Sequence, residues 1–293
     1  MADYNYLNEI KYEKLGESKD ACEKQANWNT AFGLQAVDDL SPSEYMVSLA
    51  KDNITGKISY DKVEEEINRY YSKIPADELN NSEKEADEVS LRIVRILNDD
   101  AFTFSFLTLK QYHKELFYGV DIGLSGKYIG DFRDYNISKK EPVLNGASVR
   151  YADFRMISDT LKYDFEEERS QKYLKMSKHA QIKRISTFTS RIWQVHPFGE
   201  GNTRTTAVFI QKYLNTMGFN VNNDLFKDNS LYFRNALVRA NYSSIQNGIE
   251  ADPDYLIRFF DNLLNRGNNV LDNNDLYINS DLIDLTQSNG KTK

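Results

Sequence analysis

Nine consecutive residues, His196-Pro197-Phe198-Gly199-Glu200-Gly201-Asn202-Thr203-Arg204, bring an imidazole, a carboxylate, an amide, a hydroxyl and a guanidinium into one short segment. His196 is the one group among them that can take up a proton near neutral pH. Glu200 offers a hard oxygen of the kind Mg²⁺ accepts alongside substrate phosphates. Arg204 is a planar fork of donors suited to phosphate oxygens. The flanks read as helix: Ile185, Phe188, Ile192 and Val195 form an apolar stripe, and TTAVFIQKYL over 205–214 reads as a second, more buried helix. The segment is then a tight turn at the N-terminus of the second helix, where unpaired N–H groups and the positive dipole end attract phosphate. A His-Pro pair and glycines also punctuate ordinary helix junctions. What points to chemistry is a base, a metal ligand, an anion nest and an arginine in one turn.

This segment resembles the signature of the Fic (filamentation induced by cAMP) domain family, HxFx[D/E]GNGRxxR, through His196, Phe198, Glu200, Gly201, Asn202 and Arg204. The resemblance implies a mainly α fold, a Fic-type helical bundle with a β-hairpin flap over the active site. It implies that His196 deprotonates a target hydroxyl and that Glu200 holds Mg²⁺. Gly201, Asn202, Thr203 and Arg204 would cradle the phosphates of ATP, and Phe198 would pack under the turn. The implied reaction is protein adenylylation (AMPylation), moving AMP from ATP to Ser, Thr or Tyr hydroxyls of protein targets, the chain itself included. Related domains transfer UMP, phosphocholine or phosphate, and a catalytically weak nucleotide-binding module is a further alternative. The resemblance also leaves room for a homo-oligomer.

Two departures stand out. Thr203 occupies the position of the family's second nest glycine, and Ala207 that of its second arginine, which grips the γ-phosphate and pairs with an inhibitory glutamate. Upstream, Gly33 to Ser43 resembles the antitoxin-type inhibitory helix, with Leu34, Asp38 and Asp39 in place of its hydroxyl residue, glutamate and following residue. With Ala207 opposite, a reaching acid is expected to find no partner. The expectation is weak or absent inhibition, the module being retained for packing.

The scaffold that must hold these groups is helical. Five prolines in 293 residues and long 3.6-period runs predict helices over 20–38, from the Ser41-Pro42 start, and from Ser59 to about Ser72. Further helices are expected over 82–97, 107–119, 154–169, 176–195, 202–217, 230–247 and 253–265. Pro75 and the polar run to Glu83 read as a linker. It separates an N-terminal antitoxin-like module, 1–75, from a Fic domain, 80–265, with 266–293 a frayed or partly ordered polar tail. Between Gly123 and Tyr151, Asn145-Gly146 signals a tight turn, and the region reads as a β-hairpin or, failing that, a surface loop. In the family such a hairpin clamps an extended target segment by main-chain bonds, which tolerate varied sequences. Arg239, Asn241 and Tyr242 have the helical spacing to wall an adenosine, or to form the polar face of a packed helix.

Composition narrows the partners. A net charge of −7 argues against broad binding to a nucleic-acid backbone. One cysteine, Cys22, cannot close an internal disulfide, and three histidines without Cys-x-x-Cys spacing make a zinc site unexpected. The opening residues MADYNYLNEIKYEK lack the apolar core of a leader, and no stretch approaches a membrane span. A cytoplasmic setting is the default expectation.

Overall fold

The computed structural model describes residues 19–124, 126–219, 221 and 224–278. The opening residues read for a leader and the tail beyond Ile278 lie outside that range. Among the described residues the architecture is helical, and the sole β contact is an isolated bridge between Ser244 and Ile249.

The first half of the chain forms α1 (Lys19–Gln35), α2 (Glu44–Ile54), α3 (Tyr60–Tyr71), α4 (Asn81–Asn98) and α5 (Phe106–Phe117). Short polar side chains start most of them: Ser43, Ser59, Asn80 and Ser105 each accept a backbone N–H from the first turn. The α2 start falls at Ser43 and not at Ser41. The buried carboxylate of Asp87 on α4 accepts both the Ser43 N–H at 2.8 Å and its hydroxyl at 2.6 Å, which pins that residue as the cap. The second half forms α6 (Ile157–Arg169), α7 (Lys178–Val195), α8 (Asn202–Thr216), α9 (Asp224–Ala240) and α10 (Asp254–Asn265). The helix expected over 230–247 begins earlier, breaks its dihedrals at Asn229 and ends at Ala240; a 3-10 turn at Ile245–Asn247 follows.

These helices share one apolar core running from Trp28 to Ile278. Helix α1 lies against both α4 and α9, and α8 is surrounded by α5, α4, α7 and α1. Trp28 and Phe32 of α1 are as buried as Phe209 of α8 and Phe233 of α9. The N-terminal helices therefore complete the core around α8, the helix that follows the chemistry-bearing turn.

The expected hairpin flap is not formed. Residues 126–128 and 142–144 are 3-10 turns, and no paired strands occur between Gly123 and Tyr151 among the described residues. Asn145 does take the left-handed conformation its turn demands, but the loop closes locally, with Glu141 O accepting from Gly146 and Glu141 N–H donating to Ala147 O. Its long-range anchors are both backbone bonds, from Arg133 N–H to Pro197 O and from Ile278 N–H to Val143 O, and side chains. The chain after α10 packs back onto this loop as far as Ile278. Leu276 is fully buried, Ile278 N–H donates to Val143 O at 3.0 Å, and the Asn145 amide donates to Ile278 O at 2.8 Å.

Candidate functional site

Helix α7 ends where the site begins. His196 is its C-cap, in the left-handed conformation (φ 47°, ψ 60°) that costs a residue with a Cβ on the order of 1 kcal/mol or more. That turn directs the imidazole back over α7. Nδ1 lies 3.2 Å from Trp193 O, which can only accept, so Nδ1 carries the proton and Nε2 is left as a bare acceptor. The ring is pinned between Tyr151, centroids 4.1 Å apart, and Trp193, edge-on at 5.1 Å. Burial drives its pKa down to about 3; the Trp193 carbonyl works the other way, while Lys139, Arg133 and Arg234 lower it further. The residue as a whole is buried, with 8% of its surface exposed.

The turn is held from both sides. Arg133, almost fully buried, donates from Nε to His196 O at 2.8 Å and from its other nitrogens to Tyr135 O, Ala152 O and Val195 O; its backbone N–H donates to Pro197 O. Asn202 spans the turn with its amide, accepting from Phe198 N–H at 3.0 Å and donating to Phe198 O at 2.9 Å. Its side chain thus braces the loop and is not free for phosphate. Phe198 packs beneath, stacked on His113 at 3.9 Å.

Helix α8 then starts at a left-handed Gly201 (φ 72°), so its first N–H groups have no side-chain cap. A Cβ at Gly201 would come within 2.4 Å of the Phe117 ring, so no other residue fits. Thr203 is already helical, with negative φ; no second glycine is needed, and its hydroxyl accepts from Trp193 Nε1 at 3.0 Å.

Arg204 is where structure and sequence part most. It is 1% exposed, lies over the Phe117 ring, and is already paired: with Asp38 (Nε to Oδ2, 2.9 Å), Glu85 (2.8 Å) and the Gln35 side-chain oxygen (3.2 Å). The Asp38 contact is a charge pair outside aligned hydrogen-bond geometry. The expectation that Asp38 finds no partner is therefore overturned; with Ala207 buried in the core, the acid meets Arg204 instead. Glu85 has its pKa raised by burial, against the opposing pull of Arg204.

A cavity of about 530 Å³ opens beside these groups, with Asp38, Glu85, Glu200, Arg204, Lys139 and Arg234 among its walls. Helix α9 does line it, but through Leu231, Arg234 and Asn235; Arg239, Asn241 and Tyr242 do not, and the Asn241 amide is spent on Leu237 O and Ser190 O. Arg234 pairs with buried Glu141 at 2.7 Å, Glu141 accepts the Tyr151 hydroxyl at 3.3 Å, and Tyr151 carries the His196 ring. Sequence reasoning missed Arg133, Glu141, Tyr151 and Arg234, since each acts across long separations and none sits in a local motif. Among the described residues no group of three or more His, Cys, Asp or Glu side chains is arranged to hold a metal. Glu200 is a lone carboxylate on the cavity wall, its Oε1 accepting the Gly201 N–H at 3.0 Å. One carboxylate completed by substrate phosphates and water is a habit of Mg²⁺, so the residues fit that ion and no all-protein cage.

The helical scaffold thus sets a buried imidazole one turn before the start of α8, where Glu200 and Arg204 flank a charged cavity. The Fic/DOC family model matches residues 103–214 of the chain. Members are characteristically transferases that bind nucleotides and protein targets. Among solved structures, the chain is similar to the N-terminal Fic domain of a Bartonella effector protein (Bep) from Bartonella sp. AR 15-3, itself a substrate of the VirB T4SS. The two are 20% identical with a TM-score of 0.49, over 69% of this chain and 86% of that one. No curated protein matches the chain. No helix among the described residues is long and apolar enough to cross a membrane.

Proposed function

We propose that this protein is an adenylyltransferase that moves AMP from ATP to a Ser, Thr or Tyr hydroxyl of a protein target, itself among them. The observation that carries this reading is the Trp193 carbonyl, which fixes His196 as the Nδ1–H tautomer and leaves Nε2 bare one turn before the uncapped start of α8. The first N–H groups of α8 would receive the α-phosphate. The target oxygen attacks the α-phosphorus, its proton passes to Nε2, and the bond to the β-phosphate oxygen breaks, releasing pyrophosphate. Glu200 would hold Mg²⁺, which supplies charge neutralisation to the phosphates when bound. Lys139, Lys140 and Arg234, the last paired with Glu141, are the cations this reading sets on the cavity wall in place of the charge Ala207 lacks. A cytoplasmic setting, with ATP and Mg²⁺ at hand, goes with this reaction.

A second reading, a nucleotide-binding regulatory module of low turnover, is favoured by one observation: Arg204 is already engaged by Asp38, Glu85 and Gln35. Incubation with α- or γ-labelled ATP separates the cases. Label retained on protein from the α-position alone supports adenylylation, and label from the γ-position alone means phosphoryl transfer. Nucleotide bound with no label transferred favours the second reading.

A further inference from the structure

His113, near the end of α5, takes no part in the reaction as drawn, yet it is wholly buried beneath the 196–204 turn. Its Nδ1 accepts the Gly130 N–H at 2.9 Å. An amide N–H can only donate, so this nitrogen carries no proton and the hydrogen of the neutral ring sits on Nε2. Nε2 in turn lies 3.1 Å from the Glu200 carbonyl, which can only accept. Both contacts demand the same tautomer. The approach of Gly130 is itself tight: at φ 79°, a Cβ there would meet Lys114 Cβ at 2.6 Å, so only glycine brings this N–H to the ring.

The peptide unit between Glu200 and Gly201 is thereby held at both ends. Its carbonyl accepts from His113, and its N–H donates to the Glu200 carboxylate at 3.0 Å. Turning that plane would swing the carboxylate and re-aim the start of α8. Stacking of the same imidazole on Phe198, at 3.9 Å and 13°, stops the ring from following such a turn.

We propose that His113 is a positioning residue: by donating from Nε2 to the Glu200 carbonyl it sets the direction of the Glu200 carboxylate and of the first N–H groups of α8. The role rests on the proposed nucleotide reading only for the identity of the ligand. The atoms that must be supplied are one donor toward Glu200 and one acceptor toward Gly130, and three substitutions divide them. His113→Gln can reach Glu200 with an amide donor. His113→Asn keeps an acceptor near Gly130 but falls short of Glu200, and His113→Phe keeps the stack and neither bond.

Two readouts are taken on the full chain: hydrogen exchange at the Gly201 and Asn202 amides without nucleotide, and affinity for Mg²⁺·ATP. The Asn and Phe variants should raise exchange at those amides and weaken Mg²⁺·ATP by about tenfold, the equivalent of one good hydrogen bond, with the Gln variant within about threefold of native. The native ring should show the Nε2–H tautomer in its ¹⁵N spectrum. A Gln variant no better than the Asn variant, a Phe variant equal to native, or an Nδ1–H tautomer overturns the role. If the Phe variant does not fold, the Gln and Asn pair decides. If the native chain binds no Mg²⁺·ATP, the proposed reaction falls, while exchange at Gly201 and Asn202 still decides the role of His113.

Discussion

A histidine that is to receive a proton from an incoming hydroxyl must meet it neutral, with the accepting nitrogen bare. His196 satisfies both through its surroundings. The Trp193 carbonyl takes the Nδ1–H, and burial with three nearby cations lowers its pKa to about 3. Since a lowered histidine pKa means the charged form is disfavoured, the ring should stay unprotonated down to pH 5 in the free protein, whereas an ordinary histidine is mostly charged there. A polyphosphate seated beside Lys139 and Arg234 offsets their charge, so its binding should move the His196 midpoint upward and restore basicity when it is needed. Ring resonances followed by NMR with and without Mg²⁺·ATP check this; a midpoint near 6.5 in the free protein, or no upward move, would contradict it. Replacing His196 by Ala should cost transfer roughly 10²–10⁴-fold while nucleotide affinity holds, measured as label incorporation against direct binding.

Between elements, two contacts govern whether these groups can act. Arg133 joins the loop after α5 to the turn by donating to carbonyls on both, so Arg133→Leu strands several buried oxygens at once. Denaturant unfolding should show a loss of about 3 kcal/mol or more, and a loss under about 1 kcal/mol would mean the loop is held by other means. The second contact ties Asp38, just beyond α1, to Arg204 on α8. Asp38→Ala leaves a buried guanidinium short of negative charge, which is destabilising. It also frees that charge for an incoming phosphate. The melting temperature should therefore fall in the free protein and recover with Mg²⁺·ATP, with affinity about tenfold tighter than native. Unchanged affinity would return Asp38 to the packing role first expected of it. Residue chemistry marked the turn from His196 to Arg204, and cap chemistry marked a helix start at Ser59. The partners of Arg204 were not legible, because Gln35, Asp38 and Glu85 lie more than a hundred residues away and no local pattern couples them. Asn145-Gly146 declared a turn truthfully, yet a turn dipeptide says nothing about whether the flanks will pair as strands.

At the scale of the whole chain, the division read at Pro75 and the packing around α8 make different demands. A polar linker with Pro is what a boundary between two units looks like in sequence, since composition records local solvent exposure and not which faces meet. In the fold, α1 fills the groove between α4 and α9, and Trp28, Phe32 and Leu34 share the core cluster with Phe226 and Phe233. Removing everything before Asn80 would uncover that groove along most of its length, including positions as buried as Val89, Val94 and Phe226. Full burial of such side chains is worth on the order of 1.5–3 kcal/mol each, and the sum exceeds the net stability of an ordinary domain. It would also leave Arg204 without Gln35 and Asp38. A chain beginning at Asn80 should thus be aggregated or loosely folded, with strong binding of an apolar dye and no cooperative melt, and adding residues 19–79 as a separate polypeptide should restore a cooperative transition. If the shortened chain instead melts sharply and stays monomeric, the N-terminal helices are a removable module after all, and the hold of Asp38 on Arg204 becomes a contact between two bodies able to separate.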